Sequence, residues 1–173
     1  MKQLNWFTAN LNKQVLNITA VMFILMTIFV TAQVVARYIL NQSVPWSEEY
    51  SRYLFIYVVL LGSSVAVKEK GHVAVTMIAD KLKGKLKYGV ALFSTLISCG
   101  FFGVMIYSGY YSMLRAALQV SPATETNLGL VYAAVPISGA LMLLYSVEIL
   151  LEQLWEGAQG QQSTDGAKLP DME

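Results

Sequence analysis

Four long stretches of this chain carry no formally charged side chain: Gln14–Ala36, Tyr53–Val67, Tyr88–Leu114 and Thr126–Val147. A bilayer core of roughly 30 Å asks for about 20 apolar helical residues. The first, third and fourth stretches meet that length outright, and little of the 173-residue chain is left to build anything else. Hydrophobic residues make up 55% and charged residues 13%, where a soluble domain carries about a quarter charged residues. The pattern predicts an all-α integral membrane protein with four transmembrane helices over residues 14–39, 45–68, 88–114 and 129–154. Residues 1–156 would form one membrane domain. The Gly- and Gln-rich stretch 157–173 reads as a disordered polar tail.

The first stretch is too long for the h-region of a secretory signal, about 7–15 residues, and three more apolar stretches follow it, so it reads as a retained helix. The second is short, at about 22 Å of helix. Upstream of it lies Val44-Pro45-Trp46-Ser47-Glu48-Glu49-Tyr50-Ser51-Arg52. Pro45 suits the first turn of a helix, where its missing N–H costs nothing, and Glu48 and Glu49 suit the positive end of the dipole. A helix begun at Pro45 spans, and it carries Glu48, Glu49 and Arg52 at the membrane surface or in a protein interface.

Orientation follows from the basic residues. Lys2, Lys13, Lys68, Lys70, Lys81, Lys83, Lys85, Lys87 and Lys168 fall on one side, and Arg37, Arg52 and Arg115 on the other. Nine against three places both termini and the connection between spans 2 and 3 in the cytoplasm. Within that connection, Val75, Ile78, Ala79, Leu82 and Leu86 recur at helical spacing beside Lys81, Lys83, Lys85 and Lys87. This predicts a cytoplasmic amphipathic segment over about 73–87, its lysines toward anionic membrane lipid; a plain basic loop is the alternative.

The formal charges Arg37, Glu48, Glu49, Arg52, Arg115 and Glu148 sit toward span ends, whereas a pump or charge-coupled carrier uses ionisable groups facing a membrane cavity. The milder polar residues suggest packing. Ser94, Ser98, Phe101, Met105, Ser108 and Ser112 recur at steps of four and three, a seam for a helix contact. Gly62 with Ala66, and Ala134 with Ser138, are small pairs four apart that permit close approach, and Asn17, Thr27 and Thr31 share one face of span 1. Pro136 is placed to kink span 4. Cys99 reads as an apolar packing residue, with neither a disulfide partner nor a metal cluster around it. Ser63 and Ser64 lie too far along the helix from His72 to form a nucleophile–base pair. Composition and motifs therefore predict neither an enzyme, a cofactor, a metal site nor a nucleic-acid partner.

The stretch Trp46-Ser47-Glu48-Glu49-Tyr50-Ser51-Arg52-Tyr53-Leu54-Phe55-Ile56-Tyr57, with Leu61-Gly62 and Lys70-Gly71-His72-Val73-Ala74-Val75, resembles a known family. It is similar to the small membrane subunit of tripartite ATP-independent periplasmic (TRAP) transporters, the DctQ-like subunit. That family pairs a W-x-E-E segment at the start of its second helix with a G-H-(I/V)-x-V segment after it. Ser121-Pro122, Tyr132 and Pro136 near span 4 look similar too. In one departure, Thr76 stands where the family often has an acid, with Asp80 one turn on.

The resemblance implies a scaffold subunit in a bacterial inner membrane. Its partners would be a large membrane subunit carrying the substrate and sodium sites, and a periplasmic binding protein delivering an organic acid such as sialic acid or a C4-dicarboxylate. Trp46, Glu48, Glu49 and Arg52 then become candidates for contacts between subunits or at the periplasmic face, although a solvated helix start would also explain the charges. Gly71 and His72 would mark the turn out of span 2. The rival reading is an independent homo-oligomeric channel or carrier lined by the serine seam.

Overall fold

The computed structural model describes the backbone of residues 2–42, 44–79 and 85–166, with side-chain surroundings over 5–42, 44–69 and 89–155. The regular elements among the described residues are helices: α1 (Lys2–Tyr38), α2 (Pro45–Ala79), α3 (Lys85–Ala116), the short α4 (Leu128–Tyr132) and α5 (Ala134–Gly166). Among the described residues, four segments are long and apolar enough to cross a membrane, Asn5–Tyr38, Pro45–Glu69, Gly89–Ala116 and Leu128–Trp155. The expected helix start at Pro45 is where α2 begins.

α1 and α2 meet along a seven-residue repeat. On α1 the covered positions are Thr8, Asn12, Val15, Thr19, Met22, Met26, Phe29, Gln33 and Ala36, at alternating steps of four and three. On α2 they are Ser47, Ser51, Leu54, Val58, Leu61, Val65 and Lys68, at the same steps. A repeat averaging 3.5 residues keeps one stripe of each helix facing the other in a left-handed crossing. Val15, Leu61 and Val65 form the buried middle of this seam, with Met22, Tyr57 and Leu141 packed against it. The polar face expected on α1 is on the other side: Asn17, Thr27 and Thr31 are exposed. Thr27 and Thr31 donate to the carbonyls of Phe23 and Thr27 in their own helix. A hydroxyl satisfied four residues back has no need of a second helix.

α5 is the central helix. In its most apolar stretch 44% of residues are buried, against 6% in α1 and in α3. Ala134, Ser138 and Tyr145 are fully enclosed. α3 approaches α5 most closely at glycines: a Cβ on Gly109 would lie 2.8 Å from Val135 Cγ1 and 3.0 Å from Pro136 Cδ, and one on Gly139 would lie 3.1 Å from Ile106 Cγ1. The expected serine seam touches this contact at Met105, whose Cγ would lie 3.6 Å from a Cβ on Gly139, and its serines lie to the side. Ser94 and Ser108 are exposed and Ser98 and Ser112 half-buried, while Ala91, Thr95, Gly109 and Ala116 face inward. Gly62 and Ala66 are half-buried on α2, and a Cβ on Gly62 would just touch Thr19 at 3.9 Å.

Span 4 is broken once, at Ala133, between α4 and α5. Pro136 explains the break. It lacks the N–H that would bond the Tyr132 carbonyl, and its ring crowds that same carbonyl. The chain re-enters helix with Ile137 N–H donating to the Ala133 carbonyl.

α2 stays helical through Gly71 and His72 to Ala79, and α3 begins at Lys85. The stretch expected as a separate amphipathic segment over 73–87 is thus partly the end of α2 and partly the start of α3. Lys81 and Lys83 lie outside the described residues, whereas Lys85 and Lys87 have helical backbone in the first turn of α3. α5 likewise continues to Gly166, into the stretch expected as a disordered tail, and residues 167–173 lie outside the described residues.

Candidate functional site

Two polar clusters stand at opposite ends of the bundle. The first is at the loop end, where α1 leads into α2 and residues 117–127 connect α3 to α4. Beginning α2 at Pro45 puts Glu48 in its first turn. There its carboxylate meets Arg37 at 3.5 Å and Arg52, four residues on, at 3.3 Å, and Gln33 donates to it at 3.4 Å. The three charged side chains are 48–68% exposed, so these pairs contribute at most about 1 kcal/mol each. Two of the charges come from α2 and one from α1, so the cluster reinforces the α1–α2 turn and still presents free Arg N–H donors outward.

Glu49 points elsewhere. It accepts a 2.7 Å hydrogen bond from the Thr124 hydroxyl and so ties α2 to the 117–127 connection. That connection is closed on itself by hydrogen bonds between Ser121 and Thr126 and between Glu125 and Ser121. Asn127 then caps α4, accepting from Gly129 N–H at 2.8 Å while its amide donates to the Ala117 carbonyl. Trp46 is half exposed, edge-on to Phe29 at 6.2 Å between ring centroids. Ser47 beneath it donates to the Phe29 carbonyl. Of the four residues singled out from sequence, Glu48 and Arg52 pair with each other, Glu49 anchors the neighbouring connection, and Trp46 covers the α1–α2 seam.

Sequence reasoning missed the second cluster, at the opposite end, where α1 begins and from which α5 runs on. Lys68 of α2 forms an ion pair with Glu148 of α5, and Thr8 of α1 donates to the other carboxylate oxygen at 2.7 Å. The Lys68 ammonium also donates to Thr8 at 3.2 Å and stands 6.0 Å from the centre of the Tyr145 ring. Glu148 and Thr8 are almost wholly buried. One turn further along α5, Glu152 accepts from the Asn5 amide at 2.7 Å, and the Gln153 carbonyl oxygen accepts from Thr95 of α3 at 3.1 Å. Three successive polar positions of α5 therefore stitch it to α1, α2 and α3. The available signal was an opposite charge closing spans 2 and 4 on the same side, Lys68 after Val67 and Glu148 after Val147; treating each only as a span end hid the pair.

Ser63 and Ser64 donate to the carbonyls of Val59 and Leu61 in their own helix. The unbroken α2 keeps Ser63 about 13 Å from position 72 along its axis.

The family described as the DctQ component of tripartite ATP-independent periplasmic transporters matches residues 26–156. The sialic acid TRAP transporter small permease protein SiaQ of Vibrio cholerae is 30% identical over 118 residues, 68% of each chain. A putative TRAP transporter small permease protein of Haemophilus influenzae is 32% identical over 136 residues, covering 76% of this chain and 81% of that protein. The sialic acid TRAP transporter permease protein SiaT of Haemophilus influenzae is 26% identical over 117 residues, 68% of this chain but only 19% of that longer protein. With four membrane-spanning helices and a match over most of its length, the chain belongs to the DctQ-component family, the small membrane subunits of TRAP transporters.

Proposed function

We propose that this chain is the immobile scaffold subunit of a sodium-coupled, binding-protein-dependent importer of an organic acid of the sialic acid or C4-dicarboxylate class. It lies in the bacterial inner membrane with both termini in the cytoplasm, so the loop-end cluster of Trp46, Glu48, Glu49 and Arg52 faces the periplasm. The observation that carries this reading is the Lys68–Glu148–Thr8 cluster. The carboxylate most deeply buried among the described residues is already neutralised by a lysine and a hydroxyl of the same chain. A group so engaged is a structural clamp, and the coupling ion is left to another subunit.

A partner surface is also on hand. α1 and α3 each leave much of their surface uncovered, Ser94 and Ser108 included, and Phe101, Ser108 and Ser112 of α3 line a groove beside Tyr132 and Val135. Small polar residues at seven-residue spacing suit close approach by another helix better than contact with lipid. In SiaT, a region similar to this chain forms part of a longer permease, which favours a large membrane subunit as the neighbour.

Co-expression with such a subunit tests the proposal. A stable complex in mild detergent is expected, with Ser98→Leu and Ser108→Leu together weakening it about tenfold, the loss of roughly 1.4 kcal/mol. Full substrate uptake by the large subunit without this chain would overturn the scaffold role. Solute flux through liposomes holding this chain alone would favour the channel reading instead.

A further inference from the structure

A cleft of about 420 Å³ opens at the loop end between α2, the 117–127 connection and α4–α5. Its walls are apolar, built from Tyr53 and Ile56 of α2 with Val131 and Val135 of the broken fourth span. Its head is polar: Glu49, Arg52 and Ser121 lie there. The Ser121 hydroxyl oxygen is buried and has no hydrogen-bond partner among the described residues, and the residue as a whole is only 2% exposed. A buried hydroxyl left unpaired costs about 1–3 kcal/mol, so its position in the lining of a cleft points to a ligand that supplies the missing bond.

The cleft has a polarity gradient. Ile56 lies two helical turns below Glu49, roughly 10 Å deeper along α2, so one ligand would be charged at the loop end and apolar inside the span. Arg52 is held to Glu48 through one nitrogen and keeps other N–H donors, the group best suited to phosphate. Glu49 is bonded to Thr124 through one oxygen and keeps further acceptor capacity for a cation. An organic acid would leave the apolar walls wet or itself dehydrated. A phospholipid meets both ends of the gradient.

We propose that this cleft binds one phospholipid with an ammonium-bearing headgroup of the phosphatidylethanolamine type. Its phosphate rests on Arg52 and the Ser121 hydroxyl, its ammonium on Glu49, and the start of one acyl chain runs between Ile56 and Val135. The lipid thereby becomes part of the α2–α5 contact at the loop end.

The test uses p-benzoylphenylalanine in place of Ile56 in the full-length chain, irradiated in cell membranes, with the same residue in place of exposed Phe93 of α3 as a bulk-lipid control. Lipid adducts at position 56 are expected to be enriched in ethanolamine headgroups relative to position 93. Arg52→Gln is expected to lower that enrichment about tenfold, the loss of one charge-assisted contact. Equal headgroup composition at the two positions would overturn the proposal. So would enrichment unchanged by Arg52→Gln, or a polypeptide adduct at position 56. Phospholipid retained by purified protein, measured by native mass spectrometry for Ser121→Val, provides a second readout. Ethanolamine lipid lost relative to the parent chain supports the site, and unchanged retention opposes it.

Discussion

The two charge clusters are built from the same side-chain chemistry and serve opposite ends. At the loop end Glu48 shares its charge between Arg37 and Arg52, all about half exposed. At the other end Glu148 is 2% exposed and held by Lys68 and Thr8. In the open, ion pairs contribute little to folding, and their unused donors face outward. In the interior the pair is worth little over an apolar replacement, yet removing one partner strands a buried charge. The comparison separates an exposed charge cluster from a clamp consumed in cohesion.

The sharpest way to break this contrast is to remove one half of the buried pair. Glu148→Ala leaves Lys68 without its carboxylate and should destabilise the chain by about 3–5 kcal/mol. Unfolding of the detergent-solubilised protein would measure this. The double change Lys68→Met with Glu148→Leu should recover most of the loss. A double variant as unstable as the single one would refute the clamp.

A steric prediction comes next in size. Gly109→Leu should cost about 1–3 kcal/mol, because its Cβ meets Val135 and Pro136 at 2.8–3.0 Å. Gly100→Ala, with nothing within 4 Å, should be neutral or stabilising by up to about 1 kcal/mol. Equal thermal shifts would mean that α3 and α5 do not meet there. Thr8→Val should cost about 1–2 kcal/mol through the lost bond to Glu148, and a double-mutant cycle with Lys68→Met should show coupling. Arg37→Gln should be the mildest, under about 1 kcal/mol. Its effect should instead appear as reduced recovery with the large membrane subunit, and a stability loss as large as that of Glu148→Ala would erase the distinction between the ends.

The spans themselves were legible because runs without charge and of bilayer length have few other solutions. The start of α2 was legible for a local reason: Pro45, Glu48 and Glu49 each favour a first turn. Helix faces were not. On α1 the conspicuous polar residues Asn17, Thr27 and Thr31 point outward, while the true seam mixes Thr8, Asn12, Val15 and Thr19. In a membrane protein polarity does not mark the inside, since lipid and core are equally apolar, and the seven-residue repeat was the better guide. The break at Ala133 follows from Pro136, whose effect falls on the residues before it. The Lys68–Glu148 pair could not be located by counting along one helix, because its two members are joined only by the packing of α2 against α5. The residues carrying the family resemblance, Trp46, Glu48, Glu49 and Arg52, stand together at the start of α2, but their separate partners came from the geometry.

The most direct measurement is substrate uptake by the reconstituted transporter, with this chain carrying Lys68→Met and Glu148→Leu together. If its buried charges only hold helices together, the assembled complex should take up substrate at the parent rate and with the parent's response to a sodium gradient. A complex that assembles fully yet loses accumulation would contradict the account, because the Lys68–Glu148 pair would then take part in coupling.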